Sequence, residues 1–240
     1  MKGVYSAIGA LASFIAQAQA NSDIISLYTN GATWIQEASA TLILPPLPNP
    51  VSGDVAIWSA IMMENQASFL QGVTSNSPSG SYCGTSSSWC NFAYTLVGSN
   101  PIVGKGITAA PGSSVKTHYK LNPTSQLWDQ NVYVNGKLVS SVSTSKYLFS
   151  LDQERDLNQR KGKGQHGDIF YVSIECASGN CAAHPAHTWQ DISIVLNKAD
   201  TSFKKSGNWA FGATGGQMST PDAGKTWNFT TLNIPSQKAE

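Results

Sequence analysis

Charged side chains are scarce in this sequence. Asp, Glu, Lys and Arg make up 12% of its 240 residues, 15 basic against 14 acidic. A balance so close to neutral gives no electrostatic case for nucleic acid or an anionic membrane as a partner. Cysteine is also rare, with four in the chain, and no two are spaced as zinc ligands usually are. No G-x-S-x-G, H-E-x-x-H or P-loop is present, which excludes the common nucleophile, zinc-protease and phosphate-cradling signatures. After residue 20 no run is apolar for long enough to cross a bilayer. Helical patterning is sparse: residues 22–36 form the only long helical candidate, and there are no heptads or repeats.

The first 20 residues have the form of a secretory signal peptide. Met1 and Lys2 give a positive start, residues 4–15 are apolar, and Ala18-Gln19-Ala20 fits the small-x-small cleavage rule. The expected organisation is a signal peptide at 1–20 and one domain at 21–240. The mature chain is expected to start near Asn21, fold in an oxidising compartment and act in the secretory pathway or outside the cell. Four cysteines allow three pairings. Local pairing of Cys83 with Cys90 and of Cys176 with Cys181 is the simplest, because each pair closes a turn-rich loop. Asn228-Phe229-Thr230 is a glycosylation sequon if it reaches the surface.

Strand-like runs fill the rest. They include residues 40–44, 55–63, 68–74, 92–97, 115–121, 130–133, 138–142, 169–176, 189–196 and 227–234. Asn135-Gly136 between two alternating runs is a strong hairpin signal. Many short strands separated by Gly, Pro, Ser and Asn turns predict an all-β sandwich or jelly roll of antiparallel sheets. Residues 152–168 concentrate charge and glycine, which predicts a mobile loop. Its Arg155, Arg160, Lys161 and Lys163 offer a contact for an acidic ligand, with plain hydration the simpler expectation. His184 and His187 flank Pro185, which breaks any helix aligning them as metal ligands, so polar turn positions are expected. His118 falls mid-strand and His166 in the charged segment.

The chemistry-bearing candidates are aromatic. Trp58, Trp89, Phe92, Tyr94, Trp128, Tyr133, Tyr171 and Trp189 all lie on or beside predicted strands. Alternation puts residues 169, 171, 173 and 175 on one strand face, so Tyr171, Ser173 and Glu175 point together. An acid on an aromatic-rich face points to a ligand groove with a general acid.

Residues 40–97 resemble the glutamic peptidases of fungi, the eqolisins. That family has a strand ending in proline, then A-x-W-x-x-I, then A-x-L-Q-x-G-V, then an aromatic strand. Here Ala56-Ile57-Trp58-Ser59-Ala60-Ile61 and Ala67-Ser68-Phe69-Leu70-Gln71-Gly72-Val73 stand in those places, with residues 89–94 as the aromatic strand. Pro111-Gly112, the hairpin at 134–139 and residues 191–197 follow in matching order. The resemblance implies a concanavalin-like sandwich of two curved antiparallel sheets. It also implies that Gln71 matches the Gln of the family's Gln–Glu pair. The Glu belongs to a strand of pattern A-E-W-I-V-E, and that alignment puts Ile169 in its place, with Asp168 one residue off. A chain lacking the Glu is not expected to be a peptidase.

The chain is also similar in general kind to fungal hetero-Diels–Alderases of tropolone–sesquiterpenoid pathways. These dehydrate a hydroxymethyl tropolone to a quinone methide and join it to a terpene alkene. That resemblance implies a cofactor-independent cyclase, or pericyclase, without a metal. Its expected site has Gln71, Tyr171 and Glu175 as catalytic residues and Trp58, Trp89, Phe92, Tyr94 and Trp128 as substrate-binding residues. Two alternatives stand beside it: a carbohydrate binder or polysaccharide lyase using Trp and Tyr platforms, and the glutamic endopeptidase itself. The expected partner is thus a small aromatic or terpenoid molecule or a glycan, and the expected protein a monomer or weak dimer.

Overall fold

The computed structural model describes residues 21–66, 68–144 and 166–238. The expected signal peptide lies outside the described residues, as does the charged segment up to residue 165. Of that segment's end, His166 is a bend residue, and Gly167 and Asp168 already belong to a strand. In chain order come β1 (Asn21–Tyr28), β2 (Ile35–Ile43), β3 (Val55–Met63), β4 (Ser68–Asn76) and β5 (Trp89–Val97). Then follow the short β6 (Asn100–Val103) and β7 (Ile107–Ala109), β8 (Ser114–Leu121), β9 (Trp128–Val134) and β10 (Lys137–Thr144). β11 (Gly167–Cys176) and β12 (His187–Leu196) precede the short β13 (Asn208–Trp209), β14 (Thr214–Gly215) and β15 (Met218–Ser219). β16 (Thr226–Phe229) and β17 (Leu232–Ile234) end the series.

The strands form the expected all-β antiparallel sandwich. One layer runs β13–β1–β11–β3–β4–β5, with β6 and β7 along the outer edge of β5. The other runs β12–β2–β8–β9–β10, with β16 and β17 beyond β12. Gly167 pairs with Ile35 and joins the layers at one side. Opposite, the Ala93 amide donates to the Ser140 hydroxyl at 3.1 Å. The assembly therefore curves almost into a barrel.

Side-chain alternation explains the core. In β8, Val115, Thr117, Tyr119 and Leu121 are buried, whereas Lys116 and Lys120 face water. Ile57, Ile61, Leu70, Trp89, Phe170 and Val172 from the first layer meet Ala38, Leu42, Val115, Tyr119, Trp128 and Ile194 from the second. β3 and β4 break the usual one-wet-face rule, being buried along almost their whole length on both faces. Something must cover their outer face, and that cover is the site described below.

Residues 22–36 are not a helix. β1 pairs with β11, and a register shift between Asp23 and Ile25 bulges the strand. The bulge lets consecutive Ile24 and Ile25 both reach the core, and two adjacent apolar residues mimic a helical face in sequence. Asn135 and Gly136 have φ of 48° and 79°, the left-handed pair that a tight hairpin turn demands. Both disulfides pair locally, Cys83 with Cys90 and Cys176 with Cys181.

A buried polar network ties the layers together. The Tyr119 hydroxyl donates to the Ser59 carbonyl at 2.6 Å and accepts the Gly72 amide at 2.7 Å. Burial pushes this phenol up to about 12, against the opposing hydrogen bonds of Ser59, Thr117 and Gly72. The Gln130 side-chain amide donates to the backbone carbonyls of Gln71 and Tyr94, while its oxygen accepts from the Thr95 hydroxyl at 2.8 Å. Gln130 thus fixes the main chain at two neighbouring positions of β4 and β5.

His184 and His187 are not polar turn residues: they are buried, with 1% and 6% exposure. His187 Nδ1–H donates to the Pro185 carbonyl at 2.9 Å. Burial drives the imidazole down to about 4, opposed by the Pro185 hydrogen bond and assisted by nearby His184. The unfolded ring titrates near 6.5 and binds a proton that the native ring refuses. Stability present above pH 6.5 is therefore lost as pH falls toward 4, at up to about 1.4 kcal/mol per pH unit. Denaturant unfolding at pH 7 and pH 4.5 should differ by roughly 2 kcal/mol more in the wild type than in His187→Leu. An identical acid loss in the variant would contradict this account.

Candidate functional site

The outer face of β3, β4, β5 and β11 carries a cavity of about 910 Å³. Register places the side chains. Even positions of β3 and odd positions of β4 and β11 share this face, because Ala60 pairs with both Gln71 and Tyr171, and Trp58 with both Val73 and Ser173. Gln71 in turn pairs with Tyr94, and Val73 with Phe92.

The walls run from acid to grease along the strands. At one end stand Asp54, Ser75, Ser81 and Glu175; at the other, Met62, Phe69 and Leu96. Rings dominate the middle. Trp58 meets Phe69 edge-on with centroids 5.5 Å apart, and Tyr82 meets Phe92 at 4.7 Å. Phe92 and Tyr94 lie 6.4 Å apart. Among the described residues lining the cavity there are two carboxyl groups and no Lys, Arg or His.

Four polar groups define its chemistry. Gln71 is 7% exposed and lines the cavity. Its backbone is fixed by Gln130, while its side-chain amide makes no hydrogen bond to any described residue and is left for a ligand. Glu175 accepts the Trp58 indole N–H at 3.0 Å, and its own carbonyl accepts from His184 Nε2 at 2.9 Å. The Tyr94 phenol is pushed up, first by burial and then by Tyr82 and Glu175 nearby, so it stays a proton-bearing donor. Burial also raises the Asp54 carboxyl, against one hydrogen bond from Ser81.

Of the residues expected from sequence, Trp58, Gln71, Phe92, Tyr94 and Glu175 line this one cavity. Tyr171 is not among the lining residues but backs two of them, its ring edge-on to Trp58 at 6.4 Å and to Phe69 at 5.9 Å. Trp89 and Trp128 do not belong to it. Both are fully buried between the layers, and the Trp89 indole donates to the Pro45 carbonyl at 2.8 Å. The reason is parity: Trp89 is an odd residue on a strand whose even residues, Phe92 and Tyr94, face the cavity.

The position level with Gln71 on β11 also needs correction. Ile169 pairs with Met62, which pairs with Phe69, one pleat away from Gln71. Tyr171 stands in the row of Gln71 instead, and neither residue is a carboxylate. Asp168 is occupied elsewhere, accepting from the Thr29 hydroxyl at 2.5 Å.

Asp54, Phe69 and Tyr82 went unnoticed in the sequence. Asp54 shares the parity of Trp58, and Phe69 that of Gln71, so alternation alone would have found both. Tyr82 comes from a turn beside Cys83, for which no strand rule applies.

No protein-family profile matches this chain, and no curated protein matches it by sequence. Among solved structures it is similar to scytalido-glutamic peptidase in complex with a transition-state analogue inhibitor. The TM-score is 0.53 at 14% identity, over 88% of this chain and 98% of that one. SCP-B, a member of the eqolisin family solved with the tripeptide Ala-Ile-His, aligns at TM-score 0.49 and 14% identity, over 88% and 97%. An endo-1,3-β-glucanase from Streptomyces sioyaensis gives TM-score 0.27 at 11% identity, over 89% of this chain and 65% of that one. Identity at this level speaks for fold alone, and the chain has a β-sandwich fold distantly similar to that of the eqolisins.

Proposed function

We propose that this protein is a cofactor-independent enzyme of small-molecule chemistry, a secreted cyclase of hetero-Diels–Alderase type. The cavity takes a planar hydroxymethyl aromatic, promotes its dehydration to a quinone methide, and holds it against a terpenoid alkene for cycloaddition. The observation that carries this reading is the side chain of Gln71, which lines a ring-walled cavity of about 910 Å³ and has no hydrogen-bond partner among the described residues. A side-chain amide that faces a cavity without a partner of its own can give both its donor and its acceptor to a ligand. The volume lies within the range of small-molecule sites.

Each wall has a task in this reading. Trp58, Phe92 and Tyr82 hold the planar electrophile by edge and face contacts, worth about 0.5–1.5 kcal/mol per ring pair beyond burial. Gln71 donates to the ring carbonyl, and the Tyr94 phenol is a second donor for the developing negative charge. Met62, Phe69 and Leu96 take the hydrocarbon. Bringing two reactants together supplies much of the acceleration without any covalent intermediate. The absence of a carboxylate level with Gln71 favours this reading over peptide hydrolysis, which needs a base for water at that place.

The test is turnover of a tropolone alcohol with a humulene-type alkene. Wild type should give one stereoisomer faster than the uncatalysed mixture. Gln71→Ala and Tyr94→Phe should slow turnover, and Trp58→Ala should mainly weaken binding. Three variants matching wild type in rate and stereochemistry would misplace the site. An inert wild type, together with cleavage of denatured protein at acid pH that Gln71→Glu abolishes, would make it a peptidase.

A further inference from the structure

Dehydration needs a proton donor, and the two carboxyl groups of the cavity are not equivalent. Glu175 accepts the Trp58 indole N–H at 3.0 Å, a bond that favours the ionised carboxylate. Asp54 has no such donor of comparable strength: its contact with the Ser81 hydroxyl is 3.5 Å long. The Ser81 oxygen in turn accepts from the Ser75 hydroxyl at 2.8 Å.

The backbone holds Asp54 in place although it precedes β3. Its N–H donates to the Ser178 carbonyl at 2.8 Å, and its carbonyl accepts from Ala177 N–H at 2.8 Å. Gly53, at φ 62°, lets the chain pass close under the Cys176–Cys181 loop, since a Cβ there would meet Cys181 Sγ at 2.7 Å. Ser81 and Tyr82 arrive from the opposite side, tethered by the Cys83–Cys90 disulfide. Two disulfide-closed loops thus converge on this end of the cavity.

We propose that Asp54 is the proton donor of the dehydration, acting on the substrate's hydroxymethyl oxygen at the serine-lined end, and that Glu175 is a charge-bearing acceptor beside it. This assignment rests on the cyclase reading above. The exocyclic C–O bond breaks and its electron pair leaves with the oxygen. That oxygen takes the Asp54 proton and departs as water. The ring hydroxyl gives its proton to solvent, which leaves a neutral quinone methide, and Asp54 regains a proton from solvent. The sum is alcohol to quinone methide plus water, with no oxidant or reductant.

The groups facing Asp54 are Ser81 and Tyr82 from the turn, Ser75 from β4 and Glu175 from β11; no cation stands among the described lining residues. Burial favours its protonated form, against the single hydrogen bond from Ser81. Activity on the alcohol should therefore fall at high pH as Asp54 ionises.

The test compares two precursors of one quinone methide: the alcohol, whose hydroxide must be protonated to leave, and its acetate ester, which leaves unaided. Asp54→Asn should lower kcat/KM on the alcohol by roughly a hundredfold or more, yet turn over the acetate at near the wild-type rate and with the same stereochemistry. It should also lose the alkaline limb of the pH profile. Glu175→Gln should affect both precursors alike. Asp54→Ser is the second variant if the asparagine folds poorly, with the same split expected. Equal losses on both precursors, or an undiminished rate on the alcohol, would overturn the assignment. A wild type that converts neither precursor removes the cyclase reading and this assignment with it.

Discussion

Gly72→Ala is expected to lower the melting temperature by about 6–12 °C, the shift that about 3 kcal/mol causes in a domain of this size. Gly72 faces the core, one residue beyond Gln71. A Cβ there would fall 2.0 Å from Thr117 Cγ2, 2.8 Å from Thr117 Cβ and 3.1 Å from the Tyr119 hydroxyl. Thr117 is not free to turn, because its hydroxyl bonds that of Ser59 at 2.6 Å and donates to the Ala40 carbonyl at 3.3 Å. Overpacking of this kind costs about 1–3 kcal/mol. Displacing Tyr119 also leaves the Gly72 amide and the Ser59 carbonyl without their partner, at about 1–3 kcal/mol for a buried group. Thr117→Ser removes the offending methyl and keeps the hydroxyl. The double variant should therefore regain at least half of the lost stability in thermal unfolding. A Gly72→Ala protein that melts with the wild type would show that the layers are not packed as described.

Trp58→Ala should cost about 3–5 kcal/mol of stability and weaken ligand binding at the same time. Trp58 is 1% exposed, yet it sits on the outer face, where it covers the sheet and forms the cavity wall. Its removal strips the edge contacts to Phe69 and Tyr171 and the indole bond to Glu175. Trp58→Phe separates these effects. It keeps an aromatic face and loses the N–H, so the stability loss should shrink while the hydrogen bond to Glu175 is lost. Equilibrium unfolding in denaturant measures the first, and titration of a non-reactive tropolone measures the second. If Trp58→Ala binds the tropolone as wild type does, the ring wall is not the binding surface.

Sequence alone revealed the sandwich because a period of two survives in nearly every strand. It did not reveal which of two faces meets the core. Trp89 and Phe92 lie three residues apart on one strand and look equally suited to a substrate, yet parity sends one inward and the other to the cavity. β3 was the hardest case, since Val55, Ala56, Ile57 and Trp58 are all buried and no alternation is visible. The helical reading of residues 22–36 failed at a single bulge, where Ile24 and Ile25 both turn inward. Gln71, Trp58 and Glu175 were legible from type and spacing. Their neighbourhood was not, because it depends on the register of β11 against β3, which puts Tyr171 rather than Ile169 level with Gln71. Asp54 comes from the entry to a strand, and Tyr82 from a disulfide-closed turn. Only the folded chain shows that both line the same cavity as Trp58.

The central claim is that the outer-face cavity is a small-molecule site organised around the free amide of Gln71. A crystal structure of the protein with a non-reactive tropolone tests it most directly. The account predicts the ring between Trp58 and Phe92, with its carbonyl oxygen within hydrogen-bonding distance of Gln71 Nε2. A tropolone bound elsewhere, or a cavity still empty at saturating ligand, would contradict it.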